Sequence, residues 1–463
     1  MSTPALRRGL RTLGTLLITL SAISPASSVF IIAPGVISGA GTGAFYSFVA
    51  AAVVGVFMAF VYAELASAFP LAGGEYAIVT RTLGRLPGFA VLGLMIITQV
   101  LIVAVIALGV GTYLGVLMPG VPGPVIAAVT CVVAAVVGVF DIKLNAWVTG
   151  IFLAIEILAL IVVSALGLFN PARSFSELLA HPVASDGSPA TVGAIAIATS
   201  VAIFAYNGYG SAVYFGEETQ DASRGIARAI LFALGITVLA ELIPVTAVLL
   251  GAPDLNALFA SENMLSYFID SRGGGTLDTV LGLAVALAIV NAVLAIVLIS
   301  SRMLFSSGRD RAWPSPVNRA LSAVHPKFGT PWVATVGTGL VAALLCFVDP
   351  KLLLVVTSTS IVAVYAALCL GAIVGRRTGA TAHAEYRMPW FPVAPVLALA
   401  VLVFVVYQNL LDPAVGRPSL IVTACVALLS IAYYVLVLRR KGGWKLADVT
   451  EEKVTDEKAE ERA

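Results

Sequence analysis

Two short polar segments interrupt long apolar runs of the chain, and their residue types suit the binding of a polar ligand. The first covers residues 21–28 (SAISPASS), where four serines lie around Pro25. Proline has no N–H to donate and disfavours helical geometry at the residue before it, here Ser24. The serine hydroxyls and the backbone groups freed at the break could bind a ligand. Alternatively, Pro25 only kinks a continuous helix.

The second polar segment covers residues 205–211 (AYNGYGS). Its glycines weaken a helix, and Asn207 tolerates non-helical geometry. A helix that restarts after a break offers free N–H groups and the positive end of its dipole, which suit a carboxylate, whereas freed carbonyls suit a cation. The alternative is a glycine notch for close helix packing. The candidate binding residues are Ser24, Pro25, Ala26, Ser27, Ser28, Tyr206, Asn207, Gly208, Tyr209 and Gly210.

Two acidic residues, Glu156 and Glu241, stand alone inside other long apolar runs. A carboxyl group in apolar surroundings is costly and is a functional candidate by default. Glu156 could bind a proton or offer oxygen ligands to Na⁺. Glu241, which lies three residues before Pro244, could recognise a cationic amine. Each could instead be a protonated or hydrogen-bonded packing residue.

The whole chain is too apolar for a water-soluble protein. Of its 463 residues, 59% are hydrophobic and 11% are charged, with a mean hydropathy of +1.01, whereas soluble domains carry about 25% charged residues. No phosphate-binding loop, GxSxG or HExxH motif is present, and the four cysteines lack metal-ligand spacing. We therefore predict a protein in a lipid bilayer that is not an enzyme, with no catalytic residues, no bound metal and no nucleic-acid partner.

The apolar residues fall into twelve runs of the length that one membrane-spanning helix needs, about 20 residues. We predict an all-α integral membrane protein of twelve transmembrane helices. The predicted spans are residues 12–38, 44–68, 86–118, 124–141, 145–169, 190–216, 227–251, 276–306, 332–348, 352–374, 389–411 and 418–438.

The distribution of positive charge orients these spans. With the N-terminus in the cytoplasm, four of the 27 lysines and arginines fall outside: Arg173, Arg272, Lys351 and Arg417. This satisfies the positive-inside rule, so the N-terminus (1–11) and the tail (439–463) are predicted to be cytoplasmic in a multi-pass protein of the plasma (inner) membrane. The charged end of the tail is expected to be disordered or a frayed helix. The start mimics a secretory signal, but the eleven further spans favour an uncleaved first span.

Three blocks of sequence resemble the amino acid–polyamine–organocation superfamily of permeases. They are residues 62–76 (YAELASAFPLAGGEY) at the end of span 2, residues 204–230 (FAYNGYGSAVYFGEETQDASRGIARAI) at span 6, and residues 301–314 (SRMLFSSGRDRAWP) at the end of span 8, followed by TPWVA at 330–334. The blocks occur in the order and at the spans where the superfamily has them. The resemblance covers roughly residues 10–440.

This resemblance implies a five-plus-five inverted repeat with discontinuous helices 1 and 6. The first repeat is then residues 12–169, the second is 190–374, and the peripheral spans are 389–438. It also implies alternating access around a central site at the two breaks, and a substrate that is an amino acid, a polyamine or another organic amine. Interrupted helices at matching positions of two halves are the best sequence indication of a transporter's substrate site.

Two positions depart from the pattern of the superfamily. Span 1 of many members has a glycine-rich stretch at the site for the amino-acid carboxylate, where this chain has residues 24–28 (SPASS). The backbone amides near Ala26 to Ser28 could still bind a carboxylate. Some members place a lysine in span 5, where this chain has Glu156.

Charged residues gather at three predicted cytoplasmic mouths between spans. Opposite charges there could pair as an inner gate, or they could be solvated loop charges that obey the positive-inside rule. Glu64 lies deeper than the others and is expected to be paired structurally. The residues are Glu64, Glu75, Arg81 and Arg85 after span 2, Glu217, Glu218, Arg224 and Arg228 after span 6, and Arg302, Arg309, Asp310 and Arg311 after span 8.

Other polar and aromatic residues lie at the predicted depth of the central site. Asn291 in span 8 and residues 357–360 in span 10 could line it, although serine and threonine also bond to their own helix backbone. Three aromatic residues flank the break in span 6 and could close over a substrate or contact its ammonium group: Phe204, Tyr206 and Tyr209.

Together these features predict a secondary active transporter that moves an amino acid across the plasma membrane, either proton-coupled or as an exchanger. No acid lies in either interrupted segment, which favours a zwitterion with a mostly neutral side chain. A polyamine or organic amine is the alternative, kept open by Glu156 and Glu241, and an amine sensor that does not transport is less favoured. No cofactor is expected beyond a proton or Na⁺ as the coupling ion, and the oligomeric state stays open.

Overall fold

The computed structural model of the chain is all-helical. It describes residues 6, 9–114, 120–357, 359–441 and 444–446. Most of the predicted cytoplasmic segments 1–11 and 439–463 therefore lie outside the described residues, as does Ser358. Among the residues described, β-type pairing is limited to two isolated bridges, Leu10 with Thr219 and Val183 with Pro189.

The first half of the chain, up to residue 205, begins with an interrupted helix. The segments between α2, α3 and α4 stay helical, with a π-helical stretch at Ser28–Ile32 and a 3₁₀ turn at Gly41–Gly43. The helices are α1 (Thr12–Ile23), α2 (Pro25–Ser27), α3 (Ala33–Ala40), α4 (Ala44–Ala68), α5 (Gly74–Leu83), α6 (Arg85–Leu114), α7 (Gly123–Gly138), α8 (Ile142–Leu168), α9 (Phe175–Ala180) and α10 (Val192–Ala205).

The second half of the chain begins with a 3₁₀ segment, Tyr209–Phe215, and ends with a π-helical turn at Tyr434–Leu438. Its helices are α11 (Ala222–Gly251), α12 (Leu255–Ala260), α13 (Met264–Gly273), α14 (Gly275–Arg309), α15 (Ser315–Leu321), α16 (Trp332–Leu345), α17 (Pro350–Thr357), α18 (Ser360–Thr378), α19 (Val393–Leu411) and α20 (Gly416–Tyr433).

The length and composition of these helices are those of a multi-pass integral membrane protein. Nine helical stretches among the described residues are long and apolar enough to cross a membrane, and α7 and α16 are shorter apolar helices. One of the nine stretches, Thr12–Ala68, joins the first two predicted spans. The count of twelve spans therefore stays a prediction.

The packing places α1 and α14 at the centre of the bundle. α1 contacts α8, α11 and α14, and α14 also contacts α6, α7 and α16. Apolar side chains of α19 and α20, such as Val403 and Leu429, are exposed. Because an apolar outer surface is stable only against lipid hydrocarbon, these two helices present a membrane-facing side.

Candidate functional site

The first break is a single residue wide. α1 ends at Ile23, and Ser24 adopts the left-handed conformation with φ 51° and ψ 75°. Pro25 then occupies the first position of α2, where its missing N–H leaves no helical hydrogen bond unmade and its fixed φ suits a helix start. The left-handed backbone of Ser24 is strained for a residue with a Cβ atom. The discontinuity predicted in span 1 lies at this residue.

The carboxyl group of Glu156, on α8, binds to the start of α2, where the broken helix resumes. Its Oε1 atom accepts hydrogen bonds from the Ala26 backbone N–H at 2.7 Å and from the Ser24 hydroxyl at 3.1 Å. The side chain is fully buried. The Ala26 amide, which the sequence offered to a substrate carboxylate, is therefore already bound to a carboxyl group of the protein itself.

The second break lies against the first. α10 ends at Ala205, residues 206–208 form a turn, and the 3₁₀ segment begins at Tyr209. Gly208 has φ 121°, and a Cβ atom added there would lie 2.9 Å from Ile23 Cγ1 and 3.2 Å from Ile23 Cα. The absence of a side chain at Gly208 thus allows the second break to touch the last residue of α1.

The Gly208→Ala variant tests whether this close approach is required. We expect a loss of about 1–3 kcal/mol in the free energy of unfolding, because φ 121° is strained for alanine, together with a loss of ligand-dependent stabilisation. Gly235→Ala is the matched control, since a Cβ atom there meets nothing within 4 Å and alanine favours helix. Thermal unfolding of both variants measures the difference. Equal stability of the two would contradict close packing at Gly208.

A cavity of about 370 Å³ lies between the two breaks and the helices around them. Its walls are mostly apolar and come from α1, α2, the π-helical stretch, α4, α5, α6, α10, the 3₁₀ segment, α14, α17 and α18. The apolar lining includes Ile23, Ile31, Ile32, Met95, Ile102, Val105, Ile106, Ile289, Ile296, Ile299 and Ile361. Small-molecule sites commonly have such a volume and lining, with a few polar groups that fix the orientation of the ligand.

Some of the predicted binding residues line the cavity, and others do not. The predicted residues that line it are Ser24, Ser27, Ser28, Asn207, Gly208 and Gly210, with Phe204 and Thr357 beside them. The remaining predicted residues that the structure describes lie outside the lining: Pro25, Ala26, Tyr206, Tyr209, Glu156, Glu241, Asn291, Thr359 and Ser360. Asn291 instead donates from its amide to the Ser21 hydroxyl at 2.9 Å and to the Thr149 carbonyl at 3.2 Å.

Several polar lining residues were not among the sequence candidates for the binding site. Tyr62, Glu75, Gln99 and Tyr214 all face the cavity, and the sequence placed Glu75 at the cytoplasmic mouth. Of these four, only Gln99 could have been predicted from the sequence, since it is a lone amide in the apolar run of α6. Tyr365 also lines the cavity, and its hydroxyl donates to Oδ1 of Asn207.

Glu241 of α11 lies behind the cavity wall. Its side chain is fully buried, and neither carboxyl oxygen has a hydrogen-bond partner among the described residues. The Ser28 hydroxyl lies beside it but donates to the Ala205 carbonyl at 2.9 Å. A buried acid with free oxygen atoms has capacity for a proton or a small cation.

A buried ion pair lies one helical turn beyond one end of the cavity. The guanidinium of Arg302 donates to Glu218 twice, from Nε to Oε2 at 2.8 Å and from Nη2 to Oε1 at 3.0 Å. The two side chains are 0% and 1% exposed. Arg302 follows the lining residue Ile299 on α14, and Glu218 follows the lining residue Tyr214.

A second bonded group includes Glu217, the residue before Glu218 in the chain. Arg309 donates to Glu217 at 2.5 and 2.7 Å, and the Glu217 carboxylate also accepts from the Ala72 backbone N–H. Tyr76 donates to Asp310 at 2.9 Å. The ring of Trp444, which is fully buried, packs against Tyr76 with ring centroids 5.6 Å apart.

Glu64 is paired as the sequence suggested. Its carboxylate accepts from Arg376 Nε at 2.7 Å and Nη2 at 2.5 Å, and from the Met388 backbone N–H at 2.8 Å. By contrast, Arg224 and Glu385 form a surface pair with side chains 62% and 40% exposed. Such exposed pairs contribute about 0–1 kcal/mol.

Comparisons with known proteins agree on one family. The model of the amino acid permease family matches residues 10–436. The branched-chain amino acid permease BcaP of Bacillus subtilis is 25% identical over 393 residues, covering 79% of this chain and 81% of the relative. An uncharacterized transporter of Mycobacterium tuberculosis is 31% identical over 384 residues, covering 80% and 82%. The methylthioribose transporter of Bacillus subtilis is 25% identical over 425 residues, covering 86% and 88%.

Proposed function

The chain belongs to the amino acid permease family of the amino acid–polyamine–organocation superfamily, and from that premise we propose that it is a secondary active transporter of an amino acid in the plasma membrane. It is an integral membrane transport protein and not an enzyme. The observation that carries the proposal is the cavity where the two interrupted helices meet. Alternating access to that cavity would move the substrate.

The composition of the cavity supports an amino acid whose side chain has an apolar stem. Polar groups at the breaks, such as the Ser27 hydroxyl and the Asn207 amide, can bond to the charged groups of a zwitterion. The isoleucines of α6 and α14 can enclose an apolar side chain. The B. subtilis relative named for branched-chain amino acids supports the same substrate class. Another relative in the same family is named for methylthioribose, so the substrate class is argued from the cavity and not from the family match.

The twelve-span architecture is part of the proposal. The stretch Thr12–Ala68 has 57 residues, and a helix of that length would measure about 85 Å, far more than the roughly 30 Å of a bilayer core. We assign two spans to it. The shorter apolar helices α7 and α16 supply two more, which brings the nine stretches to twelve. The breaks at Ser24 and Gly208 then fall in the first span of each proposed five-helix repeat.

We propose the orientation of the protein in the membrane from the distribution of its basic residues. The bonded group around Arg302 and Arg309 lies at the end of the bundle that carries most of the basic residues, which the positive-inside rule places in the cytoplasm. Both termini are then cytoplasmic. The Arg302–Glu218 pair would close the inner end of the cavity, so the structure corresponds to a state with that end sealed.

We expect purified protein in liposomes to exchange an apolar amino acid. Liposomes loaded with unlabelled leucine should transiently concentrate labelled leucine from outside, because counterflow needs only a mobile carrier and a bound substrate. Isoleucine, valine, lysine, putrescine and methylthioribose serve as competitors, with protein-free liposomes as the control. Absence of exchange for every amino acid would contradict the proposed function, and binding without exchange would indicate a sensor.

A further inference from the structure

Glu75 is an acid on the wall of the central cavity. It lies in the first turn of α5, outside the predicted spans, yet its side chain is only 3% exposed. The neighbouring Gly74 has φ 56°, and a Cβ atom there would lie 2.6 Å from the ring of Tyr214. This close packing holds α5 against the cavity wall and turns Glu75 into the cavity.

The bonding of the Glu75 carboxyl group is incomplete. Oε1 accepts from the Tyr62 hydroxyl at 3.0 Å. Within the described part of the chain, Oε2 makes no hydrogen bond of good geometry, and the Tyr214 hydroxyl, which also lacks one, lies beside the carboxyl group. Within the same residues, no lysine or arginine pairs with it. Arg81 on the same helix donates to the Ala77 carbonyl and lies over the ring of Phe69. A buried carboxylate of this kind is stable only with a proton or a cation.

Tyrosine side chains share the cavity wall with the Glu75 carboxyl group. Tyr62, Tyr214 and Tyr365 all line the cavity with Glu75, and the rings of Tyr62 and Tyr365 meet edge to face at 5.6 Å. The face of an aromatic ring attracts a cation through its quadrupole. A carboxylate among aromatic faces is therefore complementary to an ammonium or guanidinium group.

We propose that Glu75, with Tyr62, Tyr214 and Tyr365, forms a subsite that binds the cationic head of a substrate with an apolar stem. The ligand class is a cationic amino acid or a linear amine with a primary ammonium or guanidinium end. This inference rests on the proposed function, because it assigns one end of the same substrate cavity.

The shape of the cavity fits such a ligand. It runs along α14 from Ile289 to Ile299, a helical distance of about 15 Å. Ser24 contacts the Ala288 carbonyl near one end, at 3.5 Å, and the Ser300 hydroxyl bonds to the Gln99 carbonyl near the other, at 3.4 Å. Between these polar ends the wall is apolar, which suits the methylene stem of a lysine or a diamine.

Burial raises the pKa of Glu75 above its ordinary value, which favours the neutral carboxyl group in the empty site. When the cation binds, the protonated carboxyl releases its proton to water and the carboxylate pairs with the incoming ammonium, so the charge of the site is unchanged. The titratable groups that the packed elements turn towards it are the phenols of Tyr62, Tyr214 and Tyr365. Phenols are neutral at physiological pH. Affinity for a cation should therefore rise with pH until Glu75 is ionised.

The test compares lysine with norleucine, which lacks the terminal ammonium. Dissociation constants are measured for the purified full chain, wild type and Glu75→Gln, with Glu177→Gln as an exposed-acid control. We expect wild type to prefer lysine, and Glu75→Gln to lower that preference about 30-fold or more, as for loss of a charged hydrogen bond. Norleucine affinity should change little in either variant. In wild type alone, lysine affinity should rise with pH while norleucine affinity stays level.

The outcomes separate the subsite from the transporter. If leucine or norleucine binds and is exchanged but lysine, arginine and cadaverine do not bind, the subsite is overturned and the proposed function stands. An unchanged lysine preference in Glu75→Gln also overturns the subsite. If Glu75→Gln fails to fold, the wild-type comparison of lysine with norleucine decides, since the absence of a lysine preference overturns the proposal. Absence of binding and exchange for all amino acids overturns both.

Discussion

Replacement of Glu156 by glutamine should abolish amino-acid accumulation driven by a pH gradient and leave exchange of labelled for unlabelled substrate intact. Oε1 of Glu156 accepts hydrogen bonds from Ala26 and Ser24 at the first break, and a glutamine carbonyl can accept both. The local structure should therefore persist. Glutamine cannot take up or release a proton, so a coupling step that uses this group is lost.

The size of the effect follows from the proton gradient. Cotransport of one proton converts a difference of one pH unit into a tenfold concentration ratio, which corresponds to about 1.4 kcal/mol. Wild-type liposomes under that gradient should approach a tenfold ratio of internal to external leucine, and Glu156→Gln liposomes should stay near onefold. Counterflow in the same preparation controls for protein that is misfolded or absent.

Glu241→Gln is the matched variant, because Glu241 is equally buried but has no hydrogen-bond partner among the described residues. It should retain part or all of the accumulation if Glu156 is the coupling group. Accumulation at the wild-type ratio in Glu156→Gln would refute coupling at that residue. A wild-type protein that exchanges but never accumulates would be an exchanger, which also contradicts the prediction.

The positions of the breaks could be predicted because their causes are local. Pro25 removes a donor from the helix, and Gly208 permits a backbone that other residues avoid, so both act through their own covalent structure. The place of Glu156 inside span 5 could also be predicted, because it is a lone acid in an apolar run. Its hydrogen bond to Ala26 could not, since that contact depends on the rotation of α8 about its axis.

The role of Glu75 could not be predicted for a similar reason. A charged residue after an apolar run indicates a loop at the membrane surface, and Glu75 satisfies that pattern. The short helix α5 folds back instead and carries the side chain into the cavity. The partners of Glu217, Glu218 and Glu64 were likewise hidden, because they lie on helices distant in sequence and pair only in the folded bundle.

Replacement of Glu218 by alanine should lower the free energy of unfolding by about 3–5 kcal/mol, the usual effect of removing one partner from a buried ion pair. The variant leaves Arg302 charged at 0% exposure, with its remaining hydrogen bonds to the Leu298 carbonyl and the Ser301 hydroxyl. Thermal unfolding of the purified protein measures the loss. Glu385→Ala is the control, because its exposed pair with Arg224 should contribute less than about 1 kcal/mol.

The double variant Glu218→Ala/Arg302→Met distinguishes a structural role from a gate. Removing both charges leaves no unpaired group, so much of the lost stability should return. If the pair also seals the inner end of the cavity, the stable double variant should still fail to hold a substrate gradient, because both ends of the cavity could then be open together. A double variant that is stable and accumulates leucine like wild type would limit the pair to stability. An equal loss in Glu218→Ala and Glu385→Ala would show that burial of the Arg302–Glu218 pair does not determine its contribution.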